Sequence, residues 1–227
     1  MASITLFGST GLIGNEILKL LEEDDYFKNI NVISRREVKL KSKKSKLKLI
    51  DFSNYDDYLS AIENSDIVLA AIGTTQSKVN FNKKKYVDID LGIVSKIAKA
   101  CKEKKVKHFS FVSSAGADIK NKSFYLKLKG QIEQEVKSYK LNSSSVYRPS
   151  LLLGKRTESR YGEQLAQFII PLISFLMPSN YKPIEAIKVA KAMVNESKIY
   201  SSRNQLDISN DALVGSRRLT PTSTSKA

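Results

Sequence analysis

A chain of 227 residues can bury a sizeable core, and the length suits one domain with an appended region better than two full domains. It holds no run of about eighteen apolar residues and no charged start followed by an apolar leader, which argues against a membrane span or a secretory signal; the most apolar stretch, Phe168 to Met177, is short and broken by Pro171. The formal net charge of +15 comes mostly from scattered lysine. Its two concentrations are Lys39, Lys41, Lys43, Lys44, Lys46 and Lys48, and Lys83-Lys84-Lys85. Neither is interleaved with aromatic or Arg residues that stack on or read bases, so no nucleic-acid partner is expected. The one cysteine, Cys101, excludes an intramolecular disulfide and suits a reducing compartment. A soluble, cytoplasmic protein is the expectation.

In chain order, Ser3 to Phe7 reads as an apolar strand and Asn15 to Glu23 as an amphipathic helix, with Gly8-Ser9-Thr10-Gly11-Leu12-Ile13-Gly14 between them. In that context Gly8 would let the chain leave the strand in a tight turn. Gly11 would let backbone approach a pyrophosphate, and Gly14 would let the helix pack closely on the sheet. The helix N-terminus would then face the phosphates with free N–H groups and a partial positive charge. The bland alternative is three turn glycines without a ligand. Asn31 to Ile33 reads as the next strand, and Ser34-Arg35-Arg36 at its end falls about twenty residues beyond the last glycine, where an NAD-selective site carries an acid for the ribose 2′-hydroxyl. No carboxylate stands there. Two guanidiniums and a hydroxyl suit a 2′-phosphate, so NADP(H) is read over NAD(H), against the alternative of two ordinary solvated arginines.

Further along come a strand over Leu47 to Asp51, a helix near Tyr55 to Glu63 and an apolar strand over Ile67 to Ile72. A long helix from Tyr86 to Lys104 follows, then a strand from His108 to Val112. Next are a helix over Phe124 to Lys140 and a strand over Ser144 to Tyr147 that stops at Arg148-Pro149. Short apolar strands alternating with helices imply a parallel sheet covered on both faces. Right-handed crossovers make it doubly wound, an α/β fold of the Rossmann, NAD(P)-binding kind. Past Pro149 the pattern loosens into a small C-terminal appended region. Helices are read over Leu165 to Leu176 and Ile184 to Val194, with a short strand at Gln205 to Ile208. One domain over residues 1–214, with a substrate-side region from about 150, and a disordered tail over 215–227 are expected.

Ser113-Ser114 closes the fifth strand, Tyr125 comes eleven residues after Ser114, and Lys129 stands one helical turn later. Positions four apart share a helix face. A phenol alone, with a pKa near 10, exchanges protons poorly at neutral pH, and a fixed ammonium beside it stabilises the phenolate. Tyr125 could then protonate a carbonyl oxygen while a serine hydroxyl holds that oxygen in place. A plain surface Tyr on a Lys-rich helix is the competing reading. His108 is read as a core or edge histidine with no catalytic role, and no metal site is expected.

With these segments together, the chain resembles the short-chain dehydrogenase/reductase superfamily in its extended and atypical division. The resemblance is to the NmrA-like branch that includes the Tat-interacting oxidoreductases and their fungal relatives. It is carried by Gly8 to Gly14, Ile72-Gly73-Thr74-Thr75, His108 to Ala117, Phe124 to Gly130, Arg148-Pro149, Leu152-Leu153-Gly154 and the run Arg156 to Arg160. The resemblance implies Asp51 and Phe52 at the adenine, Gly73 and Thr74 beside the ribose and pyrophosphate, and Lys129 on the nicotinamide ribose. It also implies that Leu151, Leu152 and Leu153, just after Arg148, pass near the nicotinamide through backbone contacts. Ser114 is the implied catalytic serine, being the second of the pair, with Ser113 the alternative. Arg156, Glu158 and Arg160 would sit near the substrate entrance or form a surface ion-pair cluster. Only about eighty residues follow Pro149, so the substrate pocket should be small or open.

The leading functional expectation is an NADP(H)-dependent reductase or dehydrogenase for a small carbonyl or alcohol, acting as a monomer or homodimer. The other is a cofactor-occupied redox-sensing regulator that binds a protein partner. Ser114, Tyr125 and Lys129 together favour catalysis, since a sensor needs only the phosphate and ribose contacts.

Overall fold

The computed structural model describes residues 2–73, 83–153 and 183–202. The expected helix over Leu165 to Leu176, the strand at Gln205 to Ile208 and the tail lie outside the described residues, as do Thr74 and Arg156 to Arg160.

Six parallel strands form one sheet in the order β3-β2-β1-β4-β5-β6. They are β1 (Ala2–Phe7), β2 (Phe27–Ser34), β3 (Ser45–Leu49), β4 (Ile67–Ala70), β5 (His108–Val112) and β6 (Ser144–Tyr147). Alternate side chains divide between two cores, as a period of two requires. Phe7, Val68, Ala70, Phe109 and Phe111 face one side, covered by α2 (Tyr55–Ala61), α4 (Ile93–Glu103) and α5 (Phe124–Ser138). Ile4, Leu6, Ile67 and Leu69 face the other, covered by α1 (Leu12–Glu23) and α6 (Ala186–Ser202). Each fully buried Phe or Ile contributes about 1.5–3 kcal/mol of transfer free energy. The strand order reverses between β1 and β4, which opens the crevice where sheets of this kind hold ligands.

The boundaries differ from the sequence reading for local reasons. β2 begins four residues earlier than Asn31, because Phe27 and Ile30 are core; exposed Lys28 and Asn29 break the apolar pattern where the register with β1 shifts. β3 ends at Leu49, and Asp51 falls in the following turn, because this edge strand pairs only with β2 and tolerates Lys46 and Lys48. Ile184 opens not a helix but a two-residue strand: β7 (Leu152–Leu153) pairs in parallel with β8 (Ile184–Glu185), and α6 runs from there to Ser202. The long helix expected from Tyr86 starts as α3 (Lys83–Val87) and passes through a π turn (Asp88–Gly92) before continuing as α4.

Polar residues knit α6 to the sheet. Ser145 and Tyr147 donate hydrogen bonds to the buried carboxylate of Glu196. His108 is buried, hydrogen-bonded to Ser143 and Ser110 and stacked at 3.8 Å on Tyr200. Burial pushes its imidazole down to about 3. An unfolded His titrates near 6.5, so between roughly pH 6.5 and 3 the unfolded chain binds a proton that the folded chain refuses. Stability from this residue is therefore complete above that window and falls as the pH drops through it. Urea unfolding of the wild type should lose about 1 kcal/mol per pH unit more than His108→Gln between pH 6.5 and 5; parallel declines would refute the buried neutral state.

Candidate active site

All the segments singled out in the sequence that the structure describes lie at the carboxyl ends of the parallel strands. β1 ends at Phe7, and Gly8 turns the chain with φ of 88°, in the left-handed region that glycine accepts without strain. A Cβ there would lie 2.5 Å from the Ala71 carbonyl oxygen, and one at Gly14 would lie 2.0 Å from that of Gly8. Both glycines are thus demanded by the protein itself. At Gly11 the protein comes no closer than 3.3 Å to such an atom, so the chain leaves room on that side.

The N-terminus of α1 is correspondingly bare. Gly11 occupies the cap position without a side-chain cap, and no acidic residue stands in the first turn. The N–H groups that begin a helix need partners from outside it, and here the backbone of Leu12, Ile13 and Gly14 provides them facing the loop. Ser9 is buried, and its hydroxyl has no hydrogen-bond partner. A buried hydroxyl left unpaired costs about 1–3 kcal/mol. Open space over Gly11, uncapped N–H groups and an orphaned hydroxyl fit a pyrophosphate; exposed Thr10 stands beside them.

At the end of β2 the Ser34 hydroxyl accepts the Arg36 N–H at 3.2 Å. Arg35 and Arg36 are both exposed, and no carboxylate pairs with either among the described residues. Asp51 is exposed, and its carboxylate accepts the Ser53 N–H at 2.8 Å and the Ser53 hydroxyl at 2.7 Å, bonds that hold it below its ordinary range. Phe52 packs edge-on against Phe7 and Tyr58. Gly73, beyond β4, is exposed and has open space around its Cα.

The two serines after β5 are in different situations. Ser113 is buried, and its hydroxyl donates to the Glu133 carboxylate at 2.5 Å. Glu133 also receives Arg148, through Nε at 2.9 Å and through the terminal nitrogen. The guanidinium expected at the cofactor is therefore turned to α5, where it ties the exit of β6 to that helix. Ser114 is half-exposed, and its hydroxyl has only a long 3.4 Å contact to the neighbouring Ala115 carbonyl. Leu151 is exposed and its carbonyl accepts the Ile184 N–H at 2.9 Å, while Leu152 and Leu153 pair with β8. Backbone expected near the nicotinamide is thus partly engaged within the protein.

Tyr125 is half-buried, its ring edge-on to buried Tyr86 at 6.5 Å, and its hydroxyl makes no hydrogen bond among the described residues. Lys129 shares its helix face, with Nζ 5.8 Å from the Tyr125 ring centroid. The ammonium is not bare: it donates to Asp90 Oδ2 at 2.8 Å, from the π turn. Sequence reasoning missed Asp90, Glu133 and Tyr86. The available signal for Asp90 was its place on the stripe of Tyr86, Val94, Ile97 and Cys101, otherwise buried and nearly all apolar.

The family model described as NAD(P)H-binding matches residues 8–171, from the first glycine of the loop onward. The chain belongs to this NAD(P)H-binding family. It is 31% identical over 196 residues to the protein HTATIP2 of Rattus norvegicus, covering 85% of this chain and 80% of that one. It is 33% identical over 199 residues to the mitochondrial protein FMP52 of Candida albicans, covering 85% and 86%. Among solved structures, a UDP-N-acetylglucosamine 4-epimerase from Methanobrevibacter ruminantium matches with a TM-score of 0.67 at 18% identity, over 87% of this chain and 73% of that one. Vestitone reductase from alfalfa matches with a TM-score of 0.62 at 17% identity, over 86% and 72%. These structural likenesses agree with the doubly wound fold read from the sequence. The fungal relative's name places it in mitochondria, where the sequence reading expected a cytoplasmic protein. No helix among the described residues is long and apolar enough to cross a membrane.

The glycines provide a direct check. Gly14→Ala should lower the melting temperature by several degrees, since its Cβ meets a backbone carbonyl at 2.0 Å. Gly11→Val should leave circular dichroism unchanged and abolish NADPH binding. Retained binding in a folded Gly11→Val protein would mean that the loop holds something else.

Proposed function

We propose that the protein is an NADP(H)-dependent oxidoreductase acting on a small carbonyl or alcohol substrate. The observation that carries this reading is the side-by-side placement of an uncommitted phenol, Tyr125, and a lysine on one face of α5, following a strand end that leaves the Ser114 hydroxyl free. A bound nicotinamide cofactor supplies the hydride. Its phosphates would meet Ser9, Thr10 and the backbone of Gly11 to Gly14, and the exposed Arg35 and Arg36 would face a 2′-phosphate with planar donor forks.

In this reading Tyr125 gives its proton to the carbonyl oxygen of the substrate, which leaves as an alcohol. Ser114, not Ser113, orients that oxygen, because the Ser113 hydroxyl is committed to Glu133. Glu133 and Arg148 hold the ends of β5 and β6 against α5, so the reacting groups rest on rigid elements. The small substrate-side portion of the chain supports a small substrate.

NADPH should bind at least tenfold more tightly than NADH by nicotinamide fluorescence, and Arg35→Ala/Arg36→Ala should erase that preference; equal affinities in the wild type would remove the NADP assignment. On a panel of small carbonyls, Tyr125→Phe should lower turnover about a hundredfold or more with little change in NADPH affinity. Ser114→Ala should lower it markedly and Ser113→Ala much less, by the geometry above. A Tyr125→Phe enzyme turning over at the wild-type rate would show the proton donor to be misassigned.

A further inference from the structure

The ion pair between Lys129 and Asp90 joins two elements far apart in sequence and lies almost entirely out of water. The Lys129 side chain is 5% exposed and that of Asp90 0%, with 2.8 Å between Nζ and Oδ2. A single carboxylate on the buried stripe of an otherwise apolar helix is costly to desolvate and persists only with a partner. The backbone is also unusual at this point. Asp90 is the middle residue of the π turn, the only such turn among the described residues. A π turn inserts a residue into the helical repeat and re-aims the side chains around it, and such turns concentrate at functional sites. Here the re-aimed group is a carboxylate, and it meets the ammonium that flanks the phenol.

The surroundings leave these groups to act on one another. From its own helix Asp90 is faced by Tyr86, whose phenol is pushed up by burial and further by the Asp90 and Tyr125 charges. Asp88 and Lys84 on the same helix are exposed. From α5 come Tyr125 and Lys129, and Glu133 one turn further is taken by Ser113 and Arg148.

A bare ammonium beside the phenol would draw its proton away, as expected for a site built to remove a proton from an alcohol. An ammonium already neutralised by a carboxylate does this far less. We propose that Asp90 is a positioning residue that fixes the Lys129 ammonium and withholds part of its charge from Tyr125, so that the phenol keeps its proton for delivery to a carbonyl. This rests on the oxidoreductase reading above and deepens it, since it sets the site for reduction. Charge counting gives the sign. With Asp90 ionised, the first proton lost from either Tyr125 or Lys129 leaves a buried trio of net charge −1. With a neutral residue at position 90, the same loss takes the site from +1 to zero. The first loss therefore comes at lower pH without the carboxylate, whichever of the two groups releases the proton.

The test uses the full chain labelled with ¹³C at tyrosine Cζ and lysine Cε, with Tyr125→Phe and Lys129→Met assigning the two signals. The earlier of the two titrations should fall by at least one pH unit in Asp90→Asn, a tenfold change in proton affinity. Asp90→Glu, which keeps the charge, should stay closer to the wild type. If Asp90→Asn does not fold, Asp90→Ser makes the same comparison with a smaller side chain. An unchanged or raised first titration in a folded neutral variant overturns the proposal. The readout needs neither substrate nor cofactor. Failure of every variant and the wild type to reduce any carbonyl would count against the oxidoreductase reading alone, whereas an unchanged titration in an active enzyme counts against Asp90 alone.

Discussion

The placement of α1 against the end of β1 depends on the contact between Gly14 and the Gly8 carbonyl, where even a methyl group would find no room. That approach fixes where the first helix starts and how steeply it leaves the sheet. It therefore decides which way the uncapped N–H groups point. With β1 central in the strand order and β4 on its other side, the loop they share becomes the floor of the crevice. Everything assigned to the candidate site, from Ser9 through Ser114 to Tyr125, is positioned relative to that floor. The constraint is steric rather than attractive, which is why three residues without side chains organise so much of the molecule.

On the far side of the crevice, order is maintained by charge. Two carboxylates on the site face are engaged by cations from other elements: Asp90 by Lys129, and Glu133 by Arg148. Breaking either pair leaves a charge in a poorly solvated place, a larger penalty than the pair's own net contribution. Such pairs confer little stability and much uniqueness of arrangement. In this protein they divide two neighbouring serines into a bound one and a free one, and two phenols into a core residue, Tyr86, and a half-exposed one, Tyr125.

The parts of this picture that could be read from the chain are those written in local pattern. The glycine loop was legible because an apolar strand precedes it and an amphipathic helix follows, and the alternation of short strands with helices carries the doubly wound sheet. The spacing of Ser114, Tyr125 and Lys129 set three chemical groups at a strand end and on one helix face. Asp90 was not legible, because nothing in the residues Asp88 to Gly92 announces a π turn, and ordinary helical periodicity simply places an acid among apolar neighbours. Arg148 was misdirected for a related reason: its partner Glu133 is fifteen residues away on another element, and no local pattern links them. Strand ends proved equally elusive at Lys28 and Lys46, where exposed charges hide strand continuity.

The small pairing of Leu152–Leu153 with Ile184–Glu185 has a consequence for how such a protein diversifies. About thirty residues lie between these two strands, and the chain leaves and re-enters the fold at a single clasp beside the strand ends. Because the clasp holds both ends together, changes of length or composition within that stretch are mechanically insulated from the six-stranded sheet. Closing a longer excursion costs only a slowly growing entropy. Cofactor machinery and substrate choice can then evolve on separate schedules, one locked in the sheet and the other carried by a segment that is exchangeable at its base.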